Sequence, residues 1–371
     1  MRSFIYISIL FVGAFLNGCN DAIKSVQSES KKSSVVYANT TNSDPICSGR
    51  RIGVYSWDTL SWSTKELSDH LSKPSAQKYT CGDVYINVAD YSCSDTIHNK
   101  GAIIPFIQDV RKAGNRAVIW LTYGDVTEQN TTACMQFIDT FFNWIDTIAD
   151  VQSMIPIGVS FDIEHFPAMA VEALLLKAQT RKSLLISKFG VNGLLVQCLI
   201  VGEYRPVETD IIMKLADRAL MMAYRNYMTS PSDPSGMRNG LMKRMEFMFK
   251  EQCALCLDDQ YAKQNYRAKI SIMFETSCKL GVSCDYISFC AYDSSSSTGG
   301  IEYIADTIDK VDSALVSTGL MTADQKQRLM DHASPYVLHH WEWAQCFYHD
   351  PNDSNHLCRN FHIFAKDCRN Q

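Results

Sequence analysis

The stretch IGVSFDIEHFP, Ile157 to Pro167, carries an apolar run straight into two carboxylates, Asp162 and Glu164. A charge placed in a buried strand is costly unless it is paired or used. Side chains of an extended chain alternate between faces. Ile157, Val159, Phe161 and Ile163 then share one face, and all are apolar. Gly158, Ser160, Asp162 and Glu164 share the other, and all are small or polar. That division suits a strand of a parallel barrel, with its apolar face against helices and its polar face turned into the interior. The two acids then stack at the carboxyl end of the strand, where barrels of this type keep their active sites.

Working outward, strand-like runs recur along the chain. They begin at Arg51 (RIGVYSW), Asp83 (DVYINVADY), Arg116 (RAVIWLTYG), Ile155 (IPIGVSFDIE), Gly193 (GLLVQCLIV), Arg218 (RALMMAYRN), Ala268 (AKISIMFET) and Tyr336 (YVLHHWEW). Segments with apolar residues at three- and four-residue spacing lie between them: Ile103–Ala113, Cys134–Ile148, Met169–Gln179, Glu208–Leu215, Gly240–Tyr261 and Gly300–Ser317, with a weaker one at Asp58–Leu71. Eight strands alternating with helices predict parallel pairing through right-handed crossovers and closure as a (β/α)8 barrel, an α/β fold of one domain. An open doubly wound sheet is the alternative, but no glycine-rich phosphate loop follows the first strand. The segment GVSCDYISFCAYD breaks the alternation and reads as a Cys-rich insertion near 278–293.

The chain has 371 residues, 46% hydrophobic and 20% charged, with a net charge of −5. Such a chain can bury a large core, and a weakly acidic one with no basic run excludes nucleic acid as a partner. Residues 1–19 read as a signal peptide: a basic start, an apolar run from Phe4 to Leu16, and small residues before Cys19. Leu16 to Cys19 also resembles a lipoprotein box, which would put a lipid anchor on Cys19; secretion is the preferred expectation. No later stretch reads as a transmembrane helix. Residues 20–46 are rich in Ser, Lys and Asn and read as a flexible linker, so the barrel is expected over 47–371. Fourteen cysteines fit an oxidising compartment and disulfides whose pairing the sequence leaves open.

Two carboxylates so close do not both ionise freely, and the pKa of one is pushed up. A carboxyl group that stays protonated near neutral pH is the proton donor that glycoside cleavage needs. The alternative is that both acids are buried ion-pair partners, with Arg116, Arg218 and Arg225 as candidate cations. A third carboxylate, Glu275, ends the seventh strand-like run and offers a nucleophile opposite Glu164; a salt bridge to Arg225 is the alternative for it.

The run IGVSFDIE resembles the strand-four motif of family-18 glycoside hydrolases, the chitinases and endo-β-N-acetylglucosaminidases, which reads Asp-Gly-x-Asp-x-Asp-x-Glu. Gly158, Asp162 and Glu164 match, while Ile157 and Ser160 stand where the other two aspartates belong. The resemblance implies Glu164 as proton donor and Asp162 as the group that orients a substrate acetamido, whose oxygen attacks the sugar carbon. IGVYSW resembles the family's first strand, with Tyr55 and Trp57. MMAYRN resembles its strand-six element, with Met222 and Tyr224, and Arg225 in place of an Asp or Asn. HHWEW resembles its last strand, where Trp341 or Trp343 would floor a sugar site. Tyr55, Trp57, Tyr224, Arg225 and Trp343 are the expected substrate-binding residues, with Trp57, Tyr224 and Trp343 favoured as sugar-stacking rings, since flat apolar rings with polar rims suit sugars. The expectation is a secreted glycoside hydrolase acting on a glycan, with a non-hydrolysing chitinase-like sugar-binding barrel as the alternative, because two motif aspartates are missing.

No cofactor and no metal are expected. Six of the nine histidines follow residue 330, near Cys346, Cys358 and Cys368, but their spacing forms no zinc-ligand pattern. Cys253 and Cys256 lie in a helical pattern without a redox context and are read as structural.

Overall fold

A computed structural model describes residues 52–56, 82–88, 96–98, 100–112, 118–126, 131–163, 167–200, 206–222, 270–275, 300–319, 322–323 and 336–339, all within the compact unit Asp44–Gln371. The leader, the linker, the helical patterns at Asp58–Leu71 and Gly240–Tyr261, the Cys-rich insertion and the C-terminal Cys/His-rich segment lie outside the described residues.

In chain order the elements are β1 (Ile52–Ser56), β2 (Val84–Asn87), α1 (Lys100–Lys112), β3 (Ile119–Val126), α2 (Thr131–Asp146), α3 (Val151–Met154), β4 (Ile157–Ile163), α4 (Ala168–Phe189), β5 (Leu194–Ile200), α5 (Pro206–Leu215), β6 (Arg218–Met222), β7 (Ile270–Glu275), α6 (Gly300–Ser317) and β8 (Tyr336–His339). The strands follow one another round a closed barrel, each parallel to its neighbours, and β8 pairs with β1 to complete it. This is the (β/α)8 architecture expected from the alternation.

Strand β4 is buried along its whole length, as a strand covered on both faces must be. Its β-branched and aromatic residues Ile157, Val159, Phe161 and Ile163 join the main core, which lies between the barrel and its helices. Val84 and Ile86 of β2, Ile119 and Leu121 of β3, and Val196 and Cys198 of β5 take the same outward positions. The alternate residues turn inward and form a second, smaller cluster of Tyr55, Tyr85, Trp120, Leu199, Leu220, Met273 and Val337. Period-two alternation therefore sorts the strand residues between two cores.

Two helices depart from the sequence expectation. α4 continues ten residues' worth of chain beyond Gln179, to Phe189, although Thr180 to Lys182 look like a polar stop. Those polar residues have partners. Thr180 donates to the Leu176 carbonyl at 2.8 Å, Arg181 pairs with Asp139 at 3.6 Å, and Lys182 with Asp217 at 2.7 Å. The helix ends where Gly190 takes a left-handed conformation (φ 63°), and its N–H donates to the Ile186 carbonyl. The short α3 was not expected; the Asp150 side chain caps it by accepting from Ser153 N, and Arg111 closes its far end by donating to the Met154 and Pro156 carbonyls.

Gly158 is set by close approach. A Cβ there would lie 2.3 and 2.4 Å from the Trp120 ring and 2.9 Å from the Leu195 carbonyl oxygen. Neither neighbour has room to yield: one is backbone, and the other is a ring held in a stack and by a hydrogen bond. Gly158→Ala is expected to destabilise the fold by about 3 kcal/mol, the upper end for overpacking. A shift in the urea midpoint at unchanged m-value is the readout, and an unshifted midpoint would contradict the packing.

Candidate active site

The inward residues build up in levels. At the amino-terminal end, Asp83 precedes β2 and is wholly buried. Its carboxylate accepts from Val118 N at 3.0 Å and from Trp120 Nε1 at 2.8 Å, and it pairs with Arg218 at 2.6 Å. The Arg218 guanidinium lies 5.8 Å from the Trp120 ring centre, a further attraction for a desolvated cation. Arg218 is thus committed to Asp83. As a candidate counter-ion for the acids of β4 it is corrected, because its charge is satisfied at the opposite end of the barrel.

The middle level is neutral. Ser160 Oγ donates to Gln197 Oε1 at 2.9 Å, and Gln197 Nε2 donates to the Tyr85 hydroxyl at 3.2 Å. The Tyr85 ring stacks on Tyr55, with centroids 5.4 Å apart, and on Trp120, 6.0 Å apart. Burial, chiefly, and then the Asp83 charge push the Tyr85 phenol far up, so it remains a neutral donor and acceptor. The Thr122 hydroxyl lies on this level too, in register with Ser160.

Asp162 stands one inward position above Ser160, next to the last residue of β4, and is 3% exposed. Its charge reaches β5. Burial first, and Asp162 second, push the thiol of the free, buried Cys198 up, so Cys198 is held protonated and unreactive. The inner and outer faces of β4 read from the sequence are those observed for its described residues. The other strands end at the same mouth. Glu275 is the last residue of β7, in register with His339 of β8, and β3 carries a register shift against β4 between Tyr123 and Val126.

Of the expected site residues, Asp162 is therefore on the inner face at the mouth, and Glu275 is the last residue of β7, a strand that does not adjoin β4. Tyr55 lies inside the barrel, fully buried against Tyr85. Its ring has no open face to offer a sugar, so the stacking role expected of an exposed aromatic is not available to it. Glu164, Trp57, Tyr224, Arg225, Trp341 and Trp343 lie outside the described residues, as do Arg116 and Cys19. Sequence reasoning missed Asp83, Tyr85 and Gln197. The signal for Gln197 was present: an amide in the otherwise apolar LLVQCLI, on the face opposite Val196 and Cys198. Among the described residues no group of three or more His, Cys, Asp or Glu could hold a metal ion, and no helix is long and apolar enough to cross a membrane.

No family model matches the chain, and no curated protein matches it. Solved structures do. A chitinase-like agglutinin from Robinia pseudoacacia is similar over 85% of this chain and 99% of its own, at 13% identity and a TM-score of 0.43. A chitinase from Bacteroides thetaiotaomicron is similar over 83% of this chain and 100% of its own, at 12% identity and a TM-score of 0.43. The spore cortex-lytic enzyme SleL of Bacillus cereus is similar over 61% of this chain, at 11% identity and a TM-score of 0.38, and the chain spans half of its length. Identities this low leave the chemistry to be read from the barrel's own residues.

Proposed function

We propose that this barrel is a secreted glycoside hydrolase acting on a glycan that contains N-acetylglucosamine. What carries the reading is the placement of Asp162, a buried carboxylate on the inner face at the mouth end of β4. The candidate cation Arg218 is committed to Asp83 at the other end. In the proposed reaction, Glu164 donates its proton to the glycosidic oxygen as the bond to the anomeric carbon breaks. The acetamido oxygen of the same sugar attacks that carbon, and Asp162 accepts a hydrogen bond from the acetamido N–H. Water then opens the bicyclic intermediate and returns a proton to Glu164. A covalent glycosyl-enzyme on Glu275, the last residue of β7, is the variant of this reaction that a mechanism-based fluorosugar would trap.

One observation favours a second reading, a barrel that binds sugar without cutting it. Ser160 occupies a motif aspartate position and is tied into a neutral pair with Gln197, so β4 carries no second acid at that level. Turnover separates the two. Purified protein is expected to release soluble products from N-acetylglucosamine oligomers, and Glu164→Gln is expected to lose about 10²–10⁴-fold in rate, the usual contribution of a positioned general acid. Binding of the oligomers with no turnover supports the second reading, and no binding on a broad glycan panel removes both. Export through the segment at 1–19, or anchoring at Cys19, is part of the same proposal.

A further inference from the structure

Gln197 is wholly buried in a strand that otherwise carries apolar residues. Leu195 and Leu199 hold the inward positions on either side of it, so packing alone would be served by a third leucine. A buried amide is destabilising unless its donor and acceptor are both used. Here both are. Oε1 accepts from Ser160 on the adjacent strand β4, and Nε2 donates to Tyr85 on β2, which is not a neighbour of β5 in the barrel. Gln197 therefore ties β4 and β5 to the far side of the interior. The tie fastens Ser160, and Asp162 is the next inward residue of the same strand, about 7 Å further on. On the other side, Gln197 is in register with Arg218, whose guanidinium turns away to Asp83.

We infer that Gln197 is a positioning residue: by holding Ser160 it fixes the inner row of β4, and so sets where the Asp162 carboxylate meets a ligand at the mouth. This rests on the proposed glycan site. The neutral tie fixes direction without adding charge beneath Asp162, which a second carboxylate there would do.

The test uses the full chain, with N-acetylglucosamine oligomers as probe. Gln197→Leu keeps the volume and removes the tie; Ser160→Ala removes its other end. Both also lose some stability, so Leu315→Ala, which opens a cavity in the core beneath α6, serves as a stability control. Gln197→Leu and Ser160→Ala are each expected to weaken oligomer affinity by about tenfold to a hundredfold, as small misplacements of site groups do. The double variant is expected to be no worse than either single one, because both remove one tie. Leu315→Ala is expected to melt earlier yet bind as wild type. Equal affinity in wild type and Gln197→Leu overturns the inference and leaves the glycan site standing. So does a Leu315→Ala loss as large as that of Gln197→Leu, which would make the effect one of stability. Absence of oligomer binding by wild type overturns both together.

Discussion

Asp83→Ala is expected to cost the barrel on the order of 3–5 kcal/mol, the usual penalty for removing one partner of a buried ion pair. That is a large share of the roughly 5–15 kcal/mol that holds a domain together. The size follows from what the carboxylate serves. Its loss leaves the Arg218 guanidinium, only 8% exposed at its side chain, without a counter-ion. It also leaves Val118 N and Trp120 Nε1 without their acceptor. Trp120 in turn is part of the ring stack that supports Tyr85. Removing both charges together, as Asp83→Leu with Arg218→Met, is expected to be milder than removing either alone, since no ion is then stranded. Urea melts of the two single variants and the double one give the coupling directly. Additive losses would mean that the two charges do not act as a pair.

Asp162→Asn is expected to lower hydrolysis of N-acetylglucosamine oligomers by about 10²–10³-fold, the scale of losing one group aimed at developing charge. The amide keeps the shape of the carboxylate and removes its charge. If Asp162 orients the acetamido group and steadies the positive charge that forms on it, the loss falls mainly on kcat. If Asp162 is instead a structural ion-pair partner, the melting temperature falls and the sugar kinetics stay. The two outcomes lie on different axes, so one preparation of the variant decides between them.

Much of the barrel was legible in the sequence because burial on both faces leaves a plain signature. Every strand-like run became a strand, and the two faces of β4 were assigned correctly because its helix-facing positions carry only Ile, Val and Phe. The α4 boundary was not legible. The charged residues of that stretch, Arg181 and Lys182, are paired with Asp139 and Asp217, and those partners are chosen by tertiary structure. The role of Arg218 was hidden for the same reason. Its partner Asp83 lies 135 positions away, and only closure of the barrel brings β2 and β6 within reach of one another.

Within the site, the sequence located the mouth end of β4 and the inward direction of Asp162. It did not disclose what lies beneath. Ser160 read as the absence of an acid, whereas it is one end of a hydrogen-bonded tie through Gln197 to Tyr85. Tyr55 read as a sugar contact, whereas its ring completes the buried stack. Both misreadings come from judging one strand at a time, when an inward side chain is defined by strands across the lumen.

The most direct test of the proposed site is a crystal structure of the Glu164→Gln variant soaked with an N-acetylglucosamine oligomer. The proposed site predicts a sugar ring at the barrel mouth with its acetamido nitrogen about 3 Å from the Asp162 carboxylate, a hydrogen-bonding distance, and with the glycosidic oxygen beside residue 164. An oligomer bound elsewhere, with the Asp162 carboxylate engaged by a cation of the protein, would contradict it.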